Sequence, residues 1–318
     1  MKPVKAIKAT LICGWIIGGL LWAASATFSK PADPNDAKTQ EAAKLNPEDY
    51  VGSETCKDCH AGQFNSFFKT AHSKLVTLGN QPADKQGCES CHGPGKAHVE
   101  AGGDKTLIRT FANESSKKIS ETCLQCHAGR EEHNNYRRGE HWRNDVGCID
   151  CHAPHATDVS PLKMLAKVEQ KLCVQCHNEM KAQFSKPFHH RVLEGAMKCS
   201  DCHNPHGGFE QKQARLATGT DAACVKCHTD KQGPFVYEHA PLKLEGCTIC
   251  HTPHGSSNPR LLKRNNVAQL CIECHSDIGT IGAPNTPSFH NLATARFQNC
   301  TTCHVKIHGS NTHPVFFR

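Results

Sequence analysis

Ten times between Cys56 and His304 the chain repeats one five-residue pattern, Cys-x-x-Cys-His. The cysteine pairs are Cys56 and Cys59, Cys88 and Cys91, Cys123 and Cys126, Cys148 and Cys151, Cys173 and Cys176, Cys199 and Cys202, Cys224 and Cys227, Cys247 and Cys250, Cys271 and Cys274, and Cys300 and Cys303. The histidines that follow are His60, His92, His127, His152, His177, His203, His228, His251, His275 and His304. Twenty of the 21 cysteines are used in this way, and the one left over, Cys13, lies in an N-terminal apolar stretch. No cysteine remains for a structural disulfide in the body of the chain. Two cysteines at this spacing project from one face of a helical turn, where both sulfurs reach the two vinyl groups of one haem. The adjacent histidine then meets the iron axially. The chain is therefore expected to carry ten covalently attached c-type haems.

Residues 1–26 have the form of an export signal: Lys2, Lys5 and Lys8, an apolar run from Ala9 to Trp22, and Ala24-Ser25-Ala26 as a cleavage site. Gly14, Gly18 and Gly19 interrupt the run, which is short for a membrane-spanning helix. Residues 27–50 are polar and read as a linker. Export bears on the metal chemistry too. A Cys2His2 zinc array needs no histidine directly after every second cysteine, and an exported chain is a poor setting for reduced zinc thiolates.

The motifs of the region 51–318 fall into five pairs, giving two-haem modules at about 51–112, 113–162, 163–215, 216–262 and 263–318. After the first motif of each pair a further histidine follows at a distance, at His72, His141, His190, His239 and His290. After the second it follows closely, at His98, His155, His206, His254 and His308. The spacing to the next cysteine favours His141 over His133 and His190 over His189. Of 23 histidines, thirteen remain beyond the ten in the motifs, whereas only Met164, Met180 and Met197 survive signal cleavage. Two histidines per iron is thus the expected ligation, with the ten further histidines as distal ligands. His206, three residues beyond His203, spans only about 10 Å of extended chain and cannot circle its own haem. It is expected to serve a neighbour.

Serine and acidic residues ahead of the first motifs, as in Ser53-Glu54-Thr55-Cys56 and Ser120-Glu121-Thr122-Cys123, suggest capped short helices. Gly87, Gly147 and Gly246 precede second motifs, and Pro154, Pro205 and Pro253 follow their histidines, which points to turns. The expected fold is mainly α with extensive irregular loops and little or no β-sheet. Apolar residues make up only 37% of the chain, so the haems must supply much of the interior. Net charge is +7, or +4 without the three signal lysines. Ten haems bring two propionates each and one positive charge per ferric centre, turning the balance to about −6 when oxidised and about −16 when reduced. The lysines are then propionate partners, and nucleic acid binding has no support.

From Tyr50 onward the sequence resembles the periplasmic decahaem cytochromes of the MtrA family, including its PioA, MtoA and DmsE-type branches. The likeness is carried by Cys-Ser-Asp-Cys-His-Asn-Pro-His-Gly at 199–207, Glu-His-Ala-Pro at 238–241 and His-Gly-Ser-Asn at 308–311. The resemblance implies a haem wire held inside an outer-membrane β-barrel porin, passing electrons between periplasmic carriers, extracellular cytochromes, and donors or acceptors such as iron. No catalytic residue is expected. A multihaem reductase would need an open haem or a Cys-x-x-Cys-Lys motif, and the latter is absent from the sequence. A soluble periplasmic electron shuttle is the other reading. The family pattern departs at His98 and His308, whose offsets from their motifs differ from those of His155, His206 and His254.

Overall fold

The computed structural model describes residues 46–77, 80–130, 133–155, 163–208, 222–278, 290–292 and 294–318. The expected signal at 1–26 and residues 27–45 of the expected linker lie outside the described residues. A compact unit spans Asn46–Arg318. It is helical and irregular, and among the described residues β-structure is limited to isolated bridges.

Each motif begins with one tight turn. The histidine N–H bonds to the carbonyl of the first cysteine at 2.8–3.1 Å in motifs 2 and 4 to 10, which sets both sulfurs on one side of the turn. Odd-numbered motifs start in α-helices, the longest being Ser53–Phe67 and Ser116–His127. Even-numbered motifs after the first are single 3-10 turns: Cys148–Asp150, Cys199–Asp201, Cys247–Ile249 and Cys300–Thr302. The prolines behind three of those four turns remove the N–H that a longer helix would need.

The two motifs of a module are tied by polar groups. Ser53 Oγ accepts from the Cys88 N–H at 3.1 Å and Ser120 Oγ from the Cys148 N–H at 3.0 Å. In the third module Glu169 does the same work, accepting from both Ser200 N–H and Ser200 Oγ. The serines therefore do not cap their own helices as the local sequence suggests. Helix Ser116–His127 is capped by Ser115, one turn earlier, which frees Ser120 to reach across. Contact this close needs Gly87, whose missing side chain would collide with Ser53 Oγ and whose φ of 47° is left-handed.

Successive modules are joined by two-residue clasps. Phe188 pairs with Ser256 and Tyr237 with Ser310, each through two backbone hydrogen bonds of 2.8–3.2 Å. An ordinary core is missing among the described residues. Their buried apolar side chains are Phe64, Phe67, Ile119, Leu124, Tyr136, Phe184, Val192 and Ala268, and the most deeply buried is a serine, Ser120. Val236 and Leu244, by contrast, are 70% and 77% exposed.

Candidate haem sites

Numbering the sites 1 to 10 in chain order, each motif histidine has a further histidine about 6 Å away, and His127 has His133 beside it as well. The ring centres are 6.3 Å apart for His60 and His98, 6.0 Å for His92 and His155, and 6.0 Å for His127 and His72. They are 6.0 Å apart for His152 and His206, 6.2 Å for His177 and His141, and 5.8 Å for His203 and His254. The remaining four pairs are His228 with His190, His251 with His308, His275 with His239, and His304 with His290, at 6.3–6.4 Å. A metal–imidazole bond is about 2 Å and the ring centre lies roughly 1 Å beyond the nitrogen, so two imidazoles across one iron stand about 6 Å apart. The gaps match a planar iron macrocycle. No three or more such side chains converge on a bare ion among the described residues.

The pairing follows one rule. The distant histidine of one module faces the first site of the next, and the close histidine of that next module faces back to the second site of the one before. His72 and His155 make this exchange between the first two modules, His141 and His206 between the next two, then His190 and His254, then His239 and His308. The ends have no outer neighbour and close on themselves, with His98 turning to His60 and His290 to His304. His98 thus breaks the inner rule, while His308, despite its unusual offset, obeys it.

Backbone carbonyls orient the rings. Nδ1–H donates to Arg109 O from His92, to Lys163 O from His152, to Arg260 O from His251 and to Val315 O from His304, at 2.6–2.8 Å. His98 donates likewise to Asp104 O. His141 and His190 donate to Pro205 O and Pro253 O, the residues just before His206 and His254. One clasp therefore presents two histidines to two different sites. Bonded this way, each ring keeps its lone pair on Nε2, the atom that would meet iron. Burial pushes His72, His127, His155 and His239 below the usual histidine range, and His308 down to about 4, with Lys231 adding to it. Neutral imidazoles are the form that binds metal.

The cysteines alternate along the series. Within a module the first cysteines touch: Cys56 with Cys88, Cys123 with Cys148, Cys173 with Cys199 and Cys271 with Cys300. The contact raises the thiols of Cys56, Cys123 and Cys173, burial ahead of the contact raises that of Cys271, and the contact, with the bond from Ser53 or Ser120, brings Cys88 and Cys148 down to about 6. Between modules the second cysteines feel each other's charge: Cys91 and Cys126, Cys151 and Cys176, Cys202 and Cys227, Cys250 and Cys274.

Three histidines fall outside the pairs. His133 packs against His127 and His206, with ring centres at 5.5 and 4.4 Å. His189 is held by Glu194, which raises its pKa, and by Lys186 O. His313 stacks on Phe317, which stacks on His304. Ser53, Ser120 and Glu169 are the positioning residues that motif reading misses, and the signal for the two serines is their shared place three residues ahead of a first cysteine.

Gly309 closes the last clasp with a φ of 134°, and a methyl group there would overlap the Phe235 ring. We expect Gly309→Ala to disturb sites 8 and 9 together, because His308 and His239 are presented by that clasp. Two perturbed haems in the visible and magnetic spectra would be the signature, and an unchanged spectrum would contradict it.

The family model described as "Doubled CXXCH motif" matches residues 141–182, 189–233 and 239–280, and that of "Cytochrome c554 and c-prime" matches 97–153. Multiheme cytochrome MtrA of Shewanella baltica (strain OS185) is 33% identical over 319 residues, covering 92% of each chain. Cytochrome c-type protein NrfB of Escherichia coli O6:H1 (strain CFT073) is 25% identical over 184 residues, covering 56% of this chain and 91% of that protein.

Proposed function

The chain belongs to the MtrA-type multihaem c-type cytochromes, and from that premise we propose that it is a ten-haem wire carrying electrons across the outer membrane. Electron transfer on covalently bound haem c is its basic activity. Haem c supplies an iron that takes up and releases one electron; everything else is done by the chain. The paired cysteines of the ten motifs tether the groups. His60 with His98, His92 with His155, His127 with His72, His152 with His206 and His177 with His141 would hold the iron at sites 1 to 5. His203 with His254, His228 with His190, His251 with His308, His275 with His239 and His304 with His290 would hold it at sites 6 to 10.

The observation that carries this reading is the opposed imidazole at every one of the ten motif histidines. With a second imidazole opposite each motif histidine, no haem held there would be left open to a substrate, which favours a carrier over a reductase. The cysteine contacts within modules support continuity, since they would bring the tethered edges of paired groups together.

In this proposal the mature chain, freed of residues 1–26, works from the periplasm inside an outer-membrane β-barrel, linking periplasmic carriers to external cytochromes and to donors or acceptors such as iron. Propionates and loop backbone cannot face lipid unaided, and a closed barrel wall shields both. Affinity purification from membranes tests it. The chain should come with a barrel protein, and its intact mass should equal the mature peptide plus ten haems. Recovery wholly in the soluble fraction with no barrel, or eight or fewer haems, would contradict it.

A further inference from the structure

Building on the ligand pairs proposed above, we infer that the ten irons form two electronic classes set by the angle between their imidazole planes, and that the more easily reduced class lies in the interior of the series. At sites 1, 2, 4, 8, 9 and 10 the two planes are nearly parallel, at 17°, 17°, 15°, 17°, 12° and 16°. At sites 3, 5, 6 and 7 they are crossed, at 61°, 48°, 42° and 57°. No pair falls between 17° and 42°. The division follows position: both ends carry parallel pairs, and all four crossed pairs lie between site 3 and site 7.

The angle matters because an imidazole donates π density to the iron d orbital perpendicular to its ring. Parallel rings act on the same orbital, lift it above its twin, and so stabilise the ferric state, whose unpaired electron occupies it. Crossed rings share their donation between both orbitals and forgo that stabilisation. At equal burial and charge, a crossed iron is therefore reduced more readily.

The angles are held by the chain. His92, His152, His251 and His304, all in parallel pairs, are fixed through Nδ1–H to backbone carbonyls 9 to 17 residues further along the chain. At two of the crossed sites one ring is held across a module boundary instead. His141 and His190 are turned by Pro205 O and Pro253 O across a module boundary. His72 lies against Phe67, His127 against His133, and His254 against Phe184, at ring-centre distances of 5.2–6.4 Å. Electrons entering from either end thus collect in the middle, and the end sites pass them on.

Electron paramagnetic resonance of the oxidised holoprotein, with stepwise reduction, tests this. The expected spectrum has six irons in resolved rhombic low-spin signals and four in a broad, highly anisotropic low-spin feature that disappears first on reduction. His190→Met should remove one quarter of the broad feature, and His290→Met one sixth of the rhombic intensity. Ten low-spin irons of a single type, or a broad feature lost together with or after the rhombic one, would overturn the inference while leaving the ligand pairs standing. A stoichiometric high-spin signal would overturn the ligand pairs and the inference with them.

Discussion

Alanine in place of His206 is expected to open the iron held by Cys148 and Cys151, and to leave untouched the one held by Cys199 and Cys202, whose histidine lies three residues upstream. The chain between His203 and His206 is too short to pass round a haem edge, and the His206 ring faces His152 at 6.0 Å. One iron in ten should turn high-spin, and free imidazole should restore it. The effect is large because the missing group is an iron ligand, yet it should stay local, since Pro205 O still holds His141. A holoprotein structure with His203 and His206 on the same iron would refute the assignment.

Loss of all haem should have a still larger effect: the chain should not fold. Burying an apolar side chain is worth about 1.5–3 kcal/mol, and ordering each residue costs about 1–2 kcal/mol of backbone entropy. Eight buried apolar side chains among the described residues fall far short of what the unit Asn46–Arg318 requires. Exposed Val236 and Leu244 have no protein core to enter. The eight imidazole pairs that cross between modules would also lose the groups that join them. Chain made without haem attachment should therefore show coil-like far-ultraviolet circular dichroism and no cooperative thermal transition. A sharp transition in haem-free chain would contradict this account of what fills the interior.

Much of this was legible in the sequence, because covalent attachment depends on local spacing. Cys-x-x-Cys-His closes within one helical turn, so covalent haem attachment and the mainly helical, sheet-poor fold could be read without knowing how the motifs sit together. Reach also decides that His206 must serve a neighbour. It does not decide which neighbour. His72 could approach several irons on distance along the chain alone, and the structure places it against His127 because the modules exchange histidines in both directions. The polar ties were hidden for a similar reason. Ser53 and Ser120 look like helix caps from their own surroundings, and only the close approach permitted at Gly87 and Gly147 shows that they serve the next motif. The self-closing ends at His98 and His290 depend on the absence of an outer neighbour, which is a property of the whole array rather than of either histidine.

Electron passage across a closed bilayer tests the central claim most directly. Liposomes enclosing a reduced dye should be prepared with the barrel protein and this chain, with the outer-surface cytochrome where one co-purifies, and given a ferric compound outside. The wire predicts rapid oxidation of the enclosed dye only when this chain is present. Equal oxidation with the barrel alone, or none with the complete set, would contradict it.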